Sequence, residues 1–494
     1  MSGGRGDGRG MSGGRGGTVA AVDLGATSGR VMLGHVGPNE LRLEAVTRFP
    51  NTPVEAPDGL HWNIHELYRS VVDGLAHAAR VSPGLSSIGI DSWAVDYGLL
   101  QGDRLIGIPF HYRDSRTAAG VTSVHGVVPF AELYAENGLQ FLPFNTLYQL
   151  EAERTGGLLE RADQALLIPD LMAYWLTGER VAESTNASTT GLLSLPDGPG
   201  VHPHWNEALI ERLDLPRSIF PALVQPGERI GTLIPSVAGT TGLAASTPIV
   251  AVGSHDTASA VVAVPMTDPD AAYISCGTWG LVGVELERPV RTEASRLANF
   301  TNEGGVDGRV RFLHNVMGTW LLSESVRTWQ KADQSVSLLP LVAAAEAVTT
   351  RVAVFDANDP RFLEPGDMPA RIAVWCIEHG QPVPASQAEF VRSIIESLAR
   401  AFAAAVQTAS ELSGETVNAI HIVGGGSQNA LLCQLTADHA GVPVLAGPVE
   451  ATALGNVLVQ ARAAGLISGD LETLRALVAA SNEPVRYAPR CVAE

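Results

Sequence analysis

The chain has 494 residues, too many for one ordinary hydrophobic core, so two large domains are the expectation. Hydrophobic residues make up 45% of it and charged residues 17%, which excludes the disordered class and fits a packed enzyme. A formal net charge of -19 repels phosphodiester backbones and anionic lipid, which excludes nucleic acid and membrane as partners; backbone amides, helix N-termini or magnesium can still hold a small phosphate locally.

Residues 1–16 are a near duplication rich in Gly and Arg with nothing to bury, and are expected to be a disordered tail. Thr18 to Leu24 is a β-branched and apolar run that reads as a buried strand, and Arg30 to Val36 reads as a second one, joined by the small turn Gly25 to Gly29. Ser87 to Ile90 reads as a strand that enters IGIDSWAVDYGLL, and a helical stretch is expected around Phe141 to Glu153. Pro248 to Gly253 is a further short strand ending at His255-Asp256-Thr257, and the first domain is expected to close near Pro265. No apolar run reaches membrane-spanning length, since Pro248 to Val264 is broken by His255 and Asp256; the start of the chain lacks a secretory h-region, so a cytoplasmic protein is expected.

The pattern strand, turn, strand recurs at Ala272 to Ser275, Cys276 to Gly280 and Leu281 to Leu286, which predicts an internal duplication with one hairpin per domain. Farther on, Phe390, Ile394, Ile395, Leu398, Phe402 and Val406 recur at helical spacing, with Ser386 and Glu389 as a capping box. That helix leads to the strand Ala419 to Val423, then Gly424-Gly425-Gly426, then a helix from Ala430 to His439. The four cysteines, Cys276, Cys376, Cys433 and Cys491, form no Cys-x-x-Cys pair, so neither zinc nor a disulfide framework is expected.

Four segments carry candidate chemistry. In Asp23 to Arg30, glycines let hairpin amides approach phosphate oxygens, Thr27 and Ser28 add hydroxyls, and Asp23 at the strand end suits hydrated magnesium. No Gly-Lys-Ser/Thr follows, so this is not a P-loop, and a plain glycine-rich turn is the rival reading. Ser275 to Trp279 repeats the pattern, with Thr278 as its hydroxyl. The triple glycine Gly424 to Gly426 leaves room for a flat group against the backbone at a helix start. In Gly253 to Ala260, Asp256 is either the base that accepts a hydroxyl proton or a helix N-cap, and His255 and Thr257 flank it. His111 to Arg116 reads either as solvated ion pairs at a helix start or as a cleft lining. Trp93, between Asp91 and Asp96, reads as a sugar-stacking ring or an ordinary buried indole.

Together VDLGATSGR, IGIDSWAVDYGLL, YRDSR, FNTLYQL, SHDTASAV, SCGTW, NEGG, HIVGGGSQN and GPVEATALGN resemble the FGGY carbohydrate kinases, from about Thr18 to Tyr487. The resemblance implies an α/β fold of two ribonuclease-H-like (actin-like ATPase) domains with a cleft between them, 17–265 binding sugar and phosphate and 266–487 binding nucleotide. It implies ATP as co-substrate with Mg²⁺ and a small-molecule sugar as acceptor. Within the family L-rhamnulose is the leading acceptor, with fuculose, xylulose or glycerol as rivals, in a monomer or homodimer. Carried over by position, it implies that Ala26, Thr27, Ser28, Gly29, Arg30, Thr278, Ser323, Gly424, Gly425 and Gly426 meet ATP. It further implies that Ala94, His255, Asp256, Thr257 and Asn315 meet the sugar, with Asp256 catalytic, and that Asp23 holds Mg²⁺ through water. Ala94 and Ser323 depart from the pattern, standing where the resembling members usually carry Gly and Gln.

Overall fold

A computed structural model describes residues 16–37, 40–194, 196, 198 and 201–490. The tail expected over 1–16 lies outside them apart from Gly16, as does Cys491.

The run Val19 to Leu24 is apolar on both strand faces except at Asp23, and such a strand is stable only inside a sheet covered on both sides. It is the core of β1 (Gly17–Leu24), which pairs antiparallel with β2 (Ser28–Gly37), itself paired with β3 (Glu40–Pro50). On its other edge β1 pairs parallel with β4 (Leu85–Ser92), beyond which lie β5 (Arg229–Thr232) and β6 (Pro248–Val250) in the order β5-β6-β4-β1-β2-β3. The second sheet repeats the scheme. Its β7 (Ala271–Cys276) and β8 (Trp279–Leu286) form an antiparallel hairpin, continued by β10 (Val310–Met317) and β9 (Thr301–Gly304). On the other edge of β7 lie β11 (Ala419–Val423, parallel), β12 (Val444–Ala446) and β13 (Val485–Tyr487). Each hairpin thus sits beside a parallel strand at the centre of its own sheet, which is the two-unit, actin-like α/β architecture.

Two helices lock the sheets together. Helix α1 (Asp256–Val262) follows β6, and Val261 and Val262 pack with Tyr273, Leu281 and Leu313 of the second sheet. Helix α4 (Ala451–Ala463) follows β12, and Ala453, Val457 and Ala461 pack with Val19, Ala21, Met32 and Val36 of the first sheet. The two helices cross where Gly455 meets Ser259; a Cβ on Gly455 would stand 1.8 Å from the Ser259 carbonyl oxygen. A buried polar seam fixes the register: Gln460 Nε2 donates to Ala20 O (3.1 Å), Ser87 Oγ to Gln460 Oε1 (2.7 Å) and Asn456 Nδ2 to Asp91 Oδ2 (2.5 Å).

Some expectations shift in detail. The strand read over Pro248 to Gly253 is regular only to Val250; Ala251 still exchanges backbone bonds with Gly227 and Glu228 (2.7 and 2.8 Å), while Val252 and Gly253 are buried by packing, so their hydropathy mimics a strand without a ladder. The helix read from Phe141 runs over Thr146–Gly156, the preceding residues forming a loop. Helix α2 (Gln387–Ser413) carries the expected apolar stripe, but its capping box is half formed. Ser386 Oγ accepts from Glu389 N, while the Glu389 carboxylate takes Ala385 N instead of Ser386 N. A short 3-10 turn (Gly425–Gln428) separates the triple glycine from helix α3 (Ala430–Ala440), which Asn429 caps. Cys276, Cys376 and Cys433 are buried free thiols. Among the described residues no helix is long and apolar enough to cross a membrane.

Candidate active site

A cavity of about 570 Å³ opens between the two sheets, where both hairpins, the Gly424 turn and the loop before α1 converge. The first hairpin is tight because Gly25 N donates to Ser28 O (2.9 Å), and buried Asn51 laces it, donating through its backbone to Thr27 O and through its side chain to Gly25 O. Asp23, Ala26, Thr27, Ser28 and Arg30 line the cavity from there. Thr278 faces them from the second hairpin, Gly424 and Gly425 from the turn, and Ser323 from the rim. Ala94, His255, Asp256, Thr257 and Asn315 line it as well.

Two predicted residues do not reach the cavity. Gly29 lies on β2 under Phe49, which a Cβ would strike at 2.2 Å; Gly426 packs on Cys276, whose Sγ a Cβ would strike at 2.1 Å. Both are glycine for packing. Gly424 has φ 81°, which favours glycine, while a Cβ on Gly425 would meet only open space.

Asp256 is the first residue of α1, not its cap. His255 holds the cap position, with no side-chain cap bond, so the capping reading of Asp256 fails. Burial raises the Asp256 pKa, with His255 and the Thr257 hydroxyl (3.1 Å from Oδ1) opposing. Burial also raises Asp23, against the pull of Arg30 (2.8 Å) and with the Asp256 charge adding to the rise. Asp91, paired with Asp23 across β1 and β4, is pushed well above the carboxylate range by burial and then by Asp23; its Oδ1 is buried without a partner. Arg30 also reaches Glu450 beside α4. Among the described residues no three acidic, His or Cys side chains are placed to ligate a metal directly. This crowd of carboxylates, one oxygen orphaned, instead suits a hydrated cation at Asp23 that phosphate oxygens would help to coordinate.

Behind Asp256 stands a buried relay that sequence reasoning missed. Fully buried Arg311 donates through Nη2 to His255 Nδ1 (3.0 Å). Since guanidinium only donates, the ring proton sits on Nε2, 3.5 Å from Asp256 Oδ1. Glu303 Oε2, 3.3 Å from His255 Nδ1, is balanced by Arg311 Nη1 at 3.2 Å. Burial would raise Glu303, but the Arg311 guanidinium beside it counters this and the carboxyl lies below its usual range. Glu183, also missed, anchors the loop itself: its carboxylate accepts from Ser254 N (2.9 Å), Ser254 Oγ (2.7 Å), Thr185 N (2.8 Å) and Thr185 Oγ1 (2.5 Å). The available signal was a charged residue inside an apolar stretch, Arg311 in VRFLHNVM and Glu183 before Ser-Thr-Asn.

The wall opposite is organised by Asp96. Its Oδ2 accepts from Trp62 Nε1 (2.6 Å), Trp93 Nε1 (3.0 Å) and Tyr112 N (3.2 Å), and its Oδ1 from Gln149 Nε2 (2.8 Å). Burial nevertheless lifts it to about 6. Trp93 is therefore a buried indole that also edges the cavity. Val95 has φ 70°, and Asp96 N donates to Ala94 O (3.0 Å), a γ-turn at positive φ that strains a β-branched residue and sets where the Ala94 methyl projects. Of the His111 to Arg116 segment, Tyr112 lines the cavity, Arg113 lies 4.0 Å over the Trp320 ring, and Arg116 pairs with buried Glu153 at 3.2 Å, so solvated ion pairs are not what it forms.

Residues 18–263 match the N-terminal domain of the FGGY family of carbohydrate kinases and residues 272–464 its C-terminal domain, and the chain belongs to that family. A rhamnulokinase of Pectobacterium carotovorum is 43% identical, covering 96% of this chain and 93% of that relative. One of Bacteroides thetaiotaomicron is 40% identical, covering 96% of both. Among solved structures, a ligand-bound xylulose kinase from Lactobacillus acidophilus superposes with a TM-score of 0.75 at 17% identity, over 96% of this chain and 94% of that one.

Proposed function

We propose that the chain transfers the γ-phosphate of ATP to the 1-hydroxyl of L-rhamnulose, giving ADP and L-rhamnulose 1-phosphate, in the cytoplasmic breakdown of L-rhamnose. The observation that carries the chemistry is Asp256, set between two phosphate-facing hairpins, unused as a cap and backed by His255. The sugar is supported by the full-length likeness to rhamnulokinases.

In this reading Thr27, Ser28 and Thr278 cradle phosphate oxygens and Arg30 offsets their charge, while Gly425 leaves room for adenosine. Asp256 accepts the proton of the attacking hydroxyl as the new P–O bond forms, and the His255 Nε2–H helps to hold the carboxylate. Asp23 would hold hydrated Mg²⁺, which when bound neutralises charge developing on the phosphates. The division between the units lies near Pro265, supported by family matches that stop at 263 and resume at 272. An ADP-release assay with L-rhamnulose, L-fuculose, D-xylulose and glycerol tests the reading; equal or higher kcat/KM on a rival overturns the sugar assignment.

A further inference from the structure

Asn315 is already a candidate sugar contact, and the residue that orients it has no assigned role. Strand β9 ends its pairing at Thr301 opposite Leu313, so β10 runs on past it and Asn315 lies beyond the covered edge. Gln140 takes over there. Its Oε1 accepts from Asn315 N (3.0 Å) and from Asn315 Nδ2 (3.0 Å). A backbone N–H can only donate, so the Gln140 atom facing it is the oxygen, and the Asn315 atom sharing that oxygen is the amide nitrogen. Both flips are thereby fixed. Gln140 Nε2 and Asn315 Oδ1 are left as donor and acceptor without a protein partner among the described residues, on residues that both line the cavity.

Gln140 is 4% exposed, and its loop is tied to the second half of the chain. Gly138 O accepts from Asn302 N (2.9 Å), and Phe141 N donates to Asn299 Oδ1 (2.8 Å). A donor and an acceptor held together in this way match one sugar hydroxyl, which accepts from Nε2 and donates to Oδ1. We propose that Gln140, paired with Asn315, reads a hydroxyl of the acceptor sugar and is a specificity-determining residue; this rests on the sugar-kinase reading above. Its neighbours on the same loop, Leu139 and Leu142, are apolar cavity walls, while Asn145, which also lines the cavity, spends its amide N–H on Gln140 O (3.0 Å). A site built to bond a hydroxyl rejects an analogue lacking it far more strongly than a hydrophobic pocket rejects a missing methylene.

The test is Gln140→Glu, which keeps an oxygen for Asn315 N–H and so preserves the strand-edge contact, but loses the donor. Sugar KM and calorimetric Kd are measured for the accepted ketose and for analogues each lacking one hydroxyl other than O1. We expect sugar KM and Kd to rise about tenfold or more, ATP KM to stay within about twofold, and the melting temperature to hold. On one analogue the ratio of variant to wild type should fall to about one. An unchanged sugar KM, or one penalty across all analogues, overturns the inference. A wild type active only on another ketose overturns the L-rhamnulose assignment alone, and one that binds no ketose overturns both.

Discussion

Replacing Asp256 by Asn separates chemistry from structure. Asn keeps Oδ1 for the Thr257 hydroxyl at 3.1 Å and the same backbone at the first position of α1, and no capping bond is lost because none exists. The change removes a proton acceptor and one negative charge. A positioned base is worth about 10² to 10⁴ in rate, or about 3 to 5 kcal/mol at 1.36 kcal/mol per decade. The lost charge works the other way on stability, because Asp256 raises both Asp23 and Asp91 and its removal relieves them. The expected variant has a kcat at least about a hundredfold lower, unchanged KM for ATP, and a melting temperature equal to or above wild type. The pH profile adds a check. The Asp256 pKa is raised, so wild-type kcat should fall as pH drops through it and the carboxylate fills with a proton, and the Asn variant should lack that limb. The assay is coupled ADP release at saturating ATP and Mg²⁺. A kcat within about threefold of wild type, or a loss carried by ATP affinity, refutes the assignment.

Asp96→Asn leaves four N–H donors facing one amide, so stability should drop by about 2 kcal/mol, read as urea unfolding. The folded Asp96 carboxyl keeps its proton up to about 6 while the unfolded one releases it near 3.8; unfolding therefore releases protons, the wild-type contribution falls as pH climbs through that window, and the Asn variant should lack this slope. Glu183→Gln should lower kcat about tenfold, by loosening the Ser254 to Asp256 loop, with ATP KM unchanged; full kcat would show that the loop holds its place alone. Gly455→Ala drives a Cβ to 1.8 Å from a backbone oxygen, so the crossing helices must part; a loss of about 3 kcal/mol or more is expected, and an unchanged melting temperature would refute the crossing.

Local patterns made the hairpins legible. Apolar β-branched runs around small turns predict β1, β2, β7 and β8 within a residue or two, because backbone sterics and two-sided burial act over a few neighbours. The cavity-lining position of Asp23, Thr27 and Thr278 was equally visible, since each stands at or next to a strand end, and that of Asp256 from the polar run that follows a short apolar strand. What stayed hidden needs the fold. Glu183 reaches Ser254 across 71 positions, Arg311 reaches His255 across 56, and Gln140 reaches Asn315 across 175. No periodicity encodes those pairings. Gly29 and Gly426 show the reverse failure, where a glycine-rich string mixed residues that open the cavity with residues that let Phe49 and Cys276 pack.

The acid cluster explains why the helices cross where they do. Asp23 and Asp256 on the cavity wall and Asp91, buried beside Asp23, destabilise one another, and burial raises all three. Each is held by an element from elsewhere in the chain: Asn456 of α4 donates to Asp91, Arg30 of β2 pairs with Asp23 while reaching Glu450, and Glu183 fixes the loop that carries Asp256. Since Gly455 sits on α4 next to Asn456 and abuts Ser259 on the same helix as Asp256, the crossing sets the spacing between Asp256 and the Asp91 that Asn456 holds. In the proposed mechanism the same contact serves both packing and the placement of Asp256. That is why Gly455→Ala should lower stability and activity together, whereas Asp256→Asn should cut kcat at least about a hundredfold while leaving the fold at least as stable as before.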